Sequence, residues 1–182
     1  MASRIVTKEE MLERVAVFKQ LTPSARPLVD AVLPQFNREI FNIIGGGVTE
    51  DASMKVPITA VDGFHMSIIK AGPKKGTGLH DHGTVEVFMP LTGTWSVQWG
   101  DEGENELTIG QWDVISIPTG IMRGFRNESA EEAYMLALVG GDDPGRVAWA
   151  SKVMSAVRDK GFDLDPNGKI VEVGKTLRES AR

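Results

Sequence analysis

The sequence predicts an all-β core of the sandwich or barrel type, flanked by helical extensions at both ends. Three observations carry this. Between residues 54 and 140, short β-branched and aromatic runs alternate with Gly, Pro and Asp clusters at the spacing of such folds. Glycine supplies 20 of the 182 residues, about 11% against a usual share of roughly 7%, and most of it marks those turns. Helical periodicity is confined to the two ends. The expected layout is an N-terminal arm over 1–53, a β-barrel over 54–140 and a C-terminal helix and tail over 141–182.

In chain order, residues 7–21 predict an amphipathic helix. Thr7 and Glu10 fit a capping box, and Met11, Val15 and Phe18 form an apolar stripe flanked by Leu12 and Leu21. A shorter helix is expected after Ser24, with Pro27 in its first turn and Pro34 closing it. Residues 38–44 look extended and run into Gly45-Gly46-Gly47. Strands are predicted over 63–70, 78–82, 85–90, 94–99, 106–109, 112–117, 122–126 and 133–139. Turn signals such as Gly72-Pro73, Thr92-Gly93 and Pro118-Thr119-Gly120 separate them. Beyond Asp142-Asp143-Pro144-Gly145, a helical face of Trp149, Val153, Met154 and Val157 ends near Gly161, and a last strand is expected from Lys169 to Val173.

Composition narrows the function. There are 20 Lys+Arg against 25 Asp+Glu, a net charge of −5, which disfavours binding to a nucleic-acid backbone. No apolar run approaches the roughly 20 residues of a membrane span, and the charged N-terminus lacks a signal-peptide core. A soluble, cytoplasmic protein is expected. With no cysteine, disulfides, thiolate metal sites and thiol nucleophiles are excluded. No nucleotide-cofactor motif is present, and the Asp163–Gly168 run lacks the acidic twelfth residue of a calcium loop, which is Gly174. Any transition-metal site must therefore be built from imidazole and carboxylate.

The three histidines are His65, His80 and His82. Residues i and i+2 of a strand share a face, so His80 and His82 project together, and Glu86 has the same parity across a bend allowed by Gly83. Two imidazoles and one carboxylate form a set that leaves positions open on non-haem Fe(II). The alternative is a pair of surface histidines on a polar strand edge.

The stretch from His80 to Gly93 resembles the first motif of the cupin superfamily, G(X)5HXH(X)3–4E(X)6G. His80, His82, Glu86 and Gly93 match, while the leading glycine position holds Lys74, between Gly72 and Gly76. Residues 110–127 resemble the second motif, G(X)5–7PXG(X)2H(X)3N, through Gly110, Pro118, Gly120 and Asn127. The resemblance covers about half the chain. It implies a double-stranded β-helix, or jelly-roll barrel, with a divalent metal inside, Fe(II) ahead of Mn, Ni or Zn, and a homodimer. A small-molecule substrate is expected, and charge and hydropathy exclude nucleic acid and membrane as partners.

One position departs from the pattern. The ligating histidine of the second motif is Arg123, which stays protonated and has no lone pair. Three arrangements follow. The metal stays on His80, His82 and Glu86, with Arg123 as a catalytic and substrate-binding group gripping a carboxylate. Alternatively Glu86 pairs with Arg123 in a metal-free binding or sensory barrel, or His65 supplies the missing nitrogen. Phe88, sharing the triad's parity, Phe125, sharing that of Arg123, and His65 complete the expected substrate wall. The expected activity is oxygenation of a small anionic molecule by a dioxygenase-type oxidoreductase, with a metal-dependent lyase or isomerase compatible with the same residues.

Overall fold

The computed structural model describes residues 3–173. An arm carries a short helix, α1 (Lys8–Leu12), and three 3-10 turns at Phe18–Gln20, Val29–Val32 and Pro34–Phe36. The strands of the body are β1 (Glu39–Ile44), β2 (Phe64–Ala71), β3 (Gly76–Asp81), β4 (Glu86–Pro90), β5 (Trp95–Trp99), β6 (Asn105–Ile109), β7 (Ile115–Ile117), β8 (Arg123–Asn127) and β9 (Ala133–Gly140). β10 (Ala148–Trp149), α2 (Ser151–Asp159) and a hairpin of β11 (Phe162–Leu164) and β12 (Ile170–Glu172) follow.

Two antiparallel five-stranded sheets make a jelly roll, in the orders β1-β2-β9-β4-β7 and β10-β3-β8-β5-β6. Their inner faces form one apolar core, with Ile69, Phe88 and Met135 from the first sheet and Trp95, Val97 and Phe125 from the second. β9 shows why: Ala133, Met135, Ala137 and Val139 are buried, and the residues between them are only partly covered. Asn127, the last matched residue of the second motif, is fully buried. Its amide donates to the carbonyls of Ala71 and Glu131 at 2.9 and 2.8 Å, fastening β8 to the end of β2.

A second cluster, including Val29, Leu33, Leu79, Val153 and Val157, packs α2 and the arm's turns onto the outside of β3. Residues 76–80 of β3 are buried for that reason: both faces of the strand are covered. Against β8 the register slips, with Thr77 opposite Phe125 but His80 opposite Arg123, so three steps on β3 match two on β8. That irregularity, of the β-bulge kind, brings Thr77 and His80 into the lining of one internal cavity despite their opposite parity.

Several expectations are corrected. The helix over 7–21 shrinks to α1. Its Thr7–Glu10 capping box forms, but none of its residues is buried and Met11, Leu12 and Val15 are exposed. Isolated short helices are marginal, and of the stripe only Phe18, outside α1, packs on the body, against Phe41 at 4.8 Å between centroids, so the helix does not propagate. The helix after Ser24 is two 3-10 turns, and Pro34 opens the second rather than closing a helix. Trp112 is not in a strand; it sits exposed in a turn at φ +71°, and β7 begins three residues later. Trp149 belongs to β10, ahead of α2. The tail beyond residue 173 lies outside the described residues. Among those described, no helix is long and apolar enough to cross a membrane.

Candidate metal centre

His80 ends the inward run of β3, His82 follows in the crossing to the other sheet, and Glu86 opens β4. The triad thus converges from two facing sheets, not from one strand face. All three residues are buried, and one donor atom from each lies within 4.8 Å of the others. No other such group of three occurs among the described residues.

The imidazoles are oriented from behind. His80 Nδ1 is 2.9 Å from the Gly78 carbonyl, which only accepts, so Nδ1 carries the proton and Nε2 keeps its lone pair. His82 Nδ1 lies 2.9 Å from the Thr84 hydroxyl. His82 Nε2 is buried without a hydrogen-bond partner, although Glu86 Oε2 stands 3.3 Å away. The Thr84 hydroxyl can donate or accept, so His82 Nε2 has two states: protonated, it leans towards Glu86, and deprotonated, it offers a lone pair to a cation. Burial, reinforced by the Arg123 charge, lowers the His80 pKa to about 3, so its imidazole is neutral across the ordinary pH range. Burial also opposes ionisation of Glu86, but the His82 imidazole and the Arg123 guanidinium outweigh it and hold the carboxyl below its usual range. Two neutral nitrogens and one carboxylate are a fit donor set for a divalent transition ion.

Arg123 is 1% exposed. Its Nε and Nη2 both donate to Glu86 Oε2 at 3.1 Å, and Nη1 donates to Asp81 Oδ1 at 2.7 Å and to the Ile121 carbonyl at 3.4 Å. The guanidinium therefore meets Glu86 through one oxygen only. It does not line the adjoining cavity, and its donors face protein oxygens.

That cavity has a volume of about 40 Å³ and is bordered by His80, Glu86, His65, Thr77, Phe125 and Arg38. Phe88 lies in the core beside Phe125, edge to face at 5.3 Å between centroids, and does not line it. His65 stands at the rim. Its Nδ1 accepts from the Gly47 amide at 3.2 Å and its Nε2 faces the Asp142 carbonyl at 3.3 Å, so it is not the missing ligand. Gly45 must be glycine beside it, because a Cβ there would come 2.1 Å from His65 Nδ1.

Sequence reasoning passed over Arg38. Its signal was an alternation: Arg38, Ile40 and Asn42 share one parity of the extended run and all border the cavity. Trp149 packs against the second apolar cluster and also meets the His80 ring, tilted by 41° at 5.3 Å between centroids.

No protein-family model and no curated protein matches this sequence. Among solved structures, the polyketide cyclase RemF from Streptomyces resistomycificus aligns over 74% of this chain and 83% of its own, with a TM-score of 0.53 at 14% identity. The cupin domain of Schizosaccharomyces pombe Cnp3 aligns over 70% and 74%, with a TM-score of 0.48 at 8% identity. A recombinant oxalate oxidase in complex with glycolate is 25% identical over 48% of this chain, with a TM-score of 0.43, and the match spans 46% of that chain, under half its length. The facing antiparallel sheets and the two ordered motifs define the class: this chain has the cupin fold.

Proposed function

We propose that this chain is a metal-dependent cupin enzyme, in which His80, His82 and Glu86 hold a divalent transition ion and a small anionic organic molecule is oxygenated beside it. Fe(II) is favoured over Mn, Ni and Zn by the two-histidine, one-carboxylate donor set. The observation that carries the reading is the convergence of three buried residues, His80, His82 and Glu86, with one donor atom from each within 4.8 Å of the others. A bound ion supplies Lewis acidity and, as iron, electron exchange with O₂. The protein's own part is orientation and exclusion of water. Gly78 and Thr84 aim the imidazoles, Trp149 backs His80, and Arg123 keeps Glu86 ionised while leaving its Oε1 without a hydrogen bond.

Metal content after loading with Fe(II), Mn(II), Ni(II) or Zn(II) and desalting tests the reading. Near-stoichiometric retention is expected in the wild type. His80→Ala and His82→Ala should fall below about a tenth of an equivalent with unchanged circular dichroism. Wild-type retention at that low level overturns the proposal. Oxygen uptake with a panel of short acids then separates oxygenation from a metal-dependent lyase or isomerase, which turns over without consuming O₂.

A second reading is a metal-free barrel that binds or senses a small acid. The Glu86–Arg123 pair favours it, because each charge already has a buried partner. The same metal analysis decides between the two.

A further inference from the structure

We infer that Arg38, and not Arg123, is the residue that anchors the substrate, and that the substrate is a short-chain carboxylate held by the Nε–Nη2 edge of the Arg38 guanidinium. Arg38 immediately precedes β1, is 2% exposed, and borders the same cavity as His80 and Glu86. Its Nη1 carries every hydrogen bond the side chain makes among the described residues: to Asp30 Oδ1 at 2.9 Å, the Phe36 carbonyl at 2.9 Å and the Gly76 carbonyl at 3.2 Å. Nε is buried with no partner.

A guanidinium presents planar, paired donors, and the side edge formed by Nε and one Nη matches the two oxygens of a carboxylate. Here Nε is buried and unpaired among the described residues, while the opposite nitrogen is fixed by three acceptors. Asp30 cannot turn to cover Nε, because its Oδ2 already accepts from the Thr77 hydroxyl at 2.8 Å and the Gly78 amide at 2.9 Å. The Phe125 ring lies 5.9 Å from the guanidinium carbon. Arg38 is therefore a preorganised cation with unused donors, held by groups that also brace β3 next to His80.

The charges agree with an anion. Arg38 offsets Asp30, while Arg123 faces both Glu86 and Asp81 and leaves one negative charge over, so a divalent ion on the triad would leave a single positive charge that one carboxylate balances. Size restricts the class further. About 40 Å³ corresponds to a few water-sized places, which suits a chain of two or three carbons.

This assignment rests on the proposed function for its chemistry, but its test is separable. Acetate and propionate, with acetamide as the uncharged control, are titrated calorimetrically into Mn(II)-loaded and metal-free full-length protein. The wild type should bind the acids and not acetamide. Arg38→Lys, which keeps a cation for Asp30 but loses the fork, should weaken acid binding tenfold or more with metal content unchanged. Arg38→Met combined with Asp30→Asn removes both charges while leaving the Gly78 amide an acceptor, and should do the same.

Equal acid affinity in either folded variant overturns the assignment, as does an absence of wild-type binding at millimolar acid. A readout on the wild type stands apart from variant folding: the Arg38 Nε–H resonance should move on acetate addition, and a stationary resonance in the acid-bound protein refutes the contact. Acid binding that depends on Arg38 in protein that retains no metal would sink the metal reading alone. Metal retention with Arg38-independent binding would sink only the anchor.

Discussion

Arg123 occupies the place where the second motif carries a ligating histidine, and its charge acts on the pocket from behind. Nε and Nη2 both lie on Glu86 Oε2, while Nη1 reaches Asp81, so one guanidinium neutralises two carboxylates that β3 and β4 bring together. Removing one member of a buried pair leaves an uncompensated charge. Arg123→Met is therefore expected to cost about 3–5 kcal/mol in chemical denaturation. Saturating Mn(II) should recover part of that loss, because an ion on Glu86 replaces the missing positive charge. A loss below about 1 kcal/mol would show that the pair is solvated and weak. The candidate triad was legible in the sequence because ligand chemistry and motif spacing are local properties, whereas its convergence from two facing sheets was not. Nor was the role of Arg123. Sequence shows that arginine cannot ligate, but which oxygens it meets depends on two strands closing over each other.

Among the elements, β3 determines how the site is aimed. The slip between Thr77 and His80 puts both into the lining of one cavity, where simple alternation places them on opposite faces. Close approach to β8 is part of the same arrangement. A Cβ at Gly76 would stand 1.8 Å from the Phe125 carbonyl oxygen, which is backbone and cannot move aside. Gly76→Ala should thus destabilise the protein by about 3 kcal/mol or more and reduce metal retention, measured by thermal unfolding and metal analysis together. An unaltered melting temperature would contradict the close approach. The predicted strands from 63–70 to 133–139 correspond to β2 through β9, since alternation within a sandwich survives in the local pattern. The N-terminal stripe failed as a predictor because periodicity states only that a helix could bury one face. Nothing among the described residues covers that of α1.

At the scale of the molecule, the arm and the C-terminal segment meet over the site through Glu50. Its carboxylate accepts from the Val29 amide at 2.5 Å and the Trp149 indole at 2.9 Å, and Trp149 packs on His80. Burial pushes the Glu50 pKa up to about 7, the two hydrogen bonds only partly opposing it. Between the ordinary value of 4.5 and about 7 the folded state holds a proton that the unfolded chain has released. Stability contributed by this group is therefore full below the lower value and falls as pH rises through the window, by about 3 kcal/mol in all. Glu50→Gln should flatten that slope in denaturation series from pH 4.5 to 8. A variant slope equal to the wild type's would assign the pH dependence elsewhere.

The succession of strands along the chain, the candidate ligand set and the spacing of two motifs were determined by the sequence alone, because each rests on neighbours along the chain. The anchoring arginine was decided only by the tertiary structure. Arg38 and Arg123 are indistinguishable as letters: both are arginines on strand-like runs of inward parity. Chain closure set Arg123 against Glu86 and Asp81 with its donors engaged, and left Arg38 beside the cavity with Nε unpartnered. Which donors of a buried cation remain unused depends on contacts between residues far apart in sequence, and that information exists only once the sheets have packed.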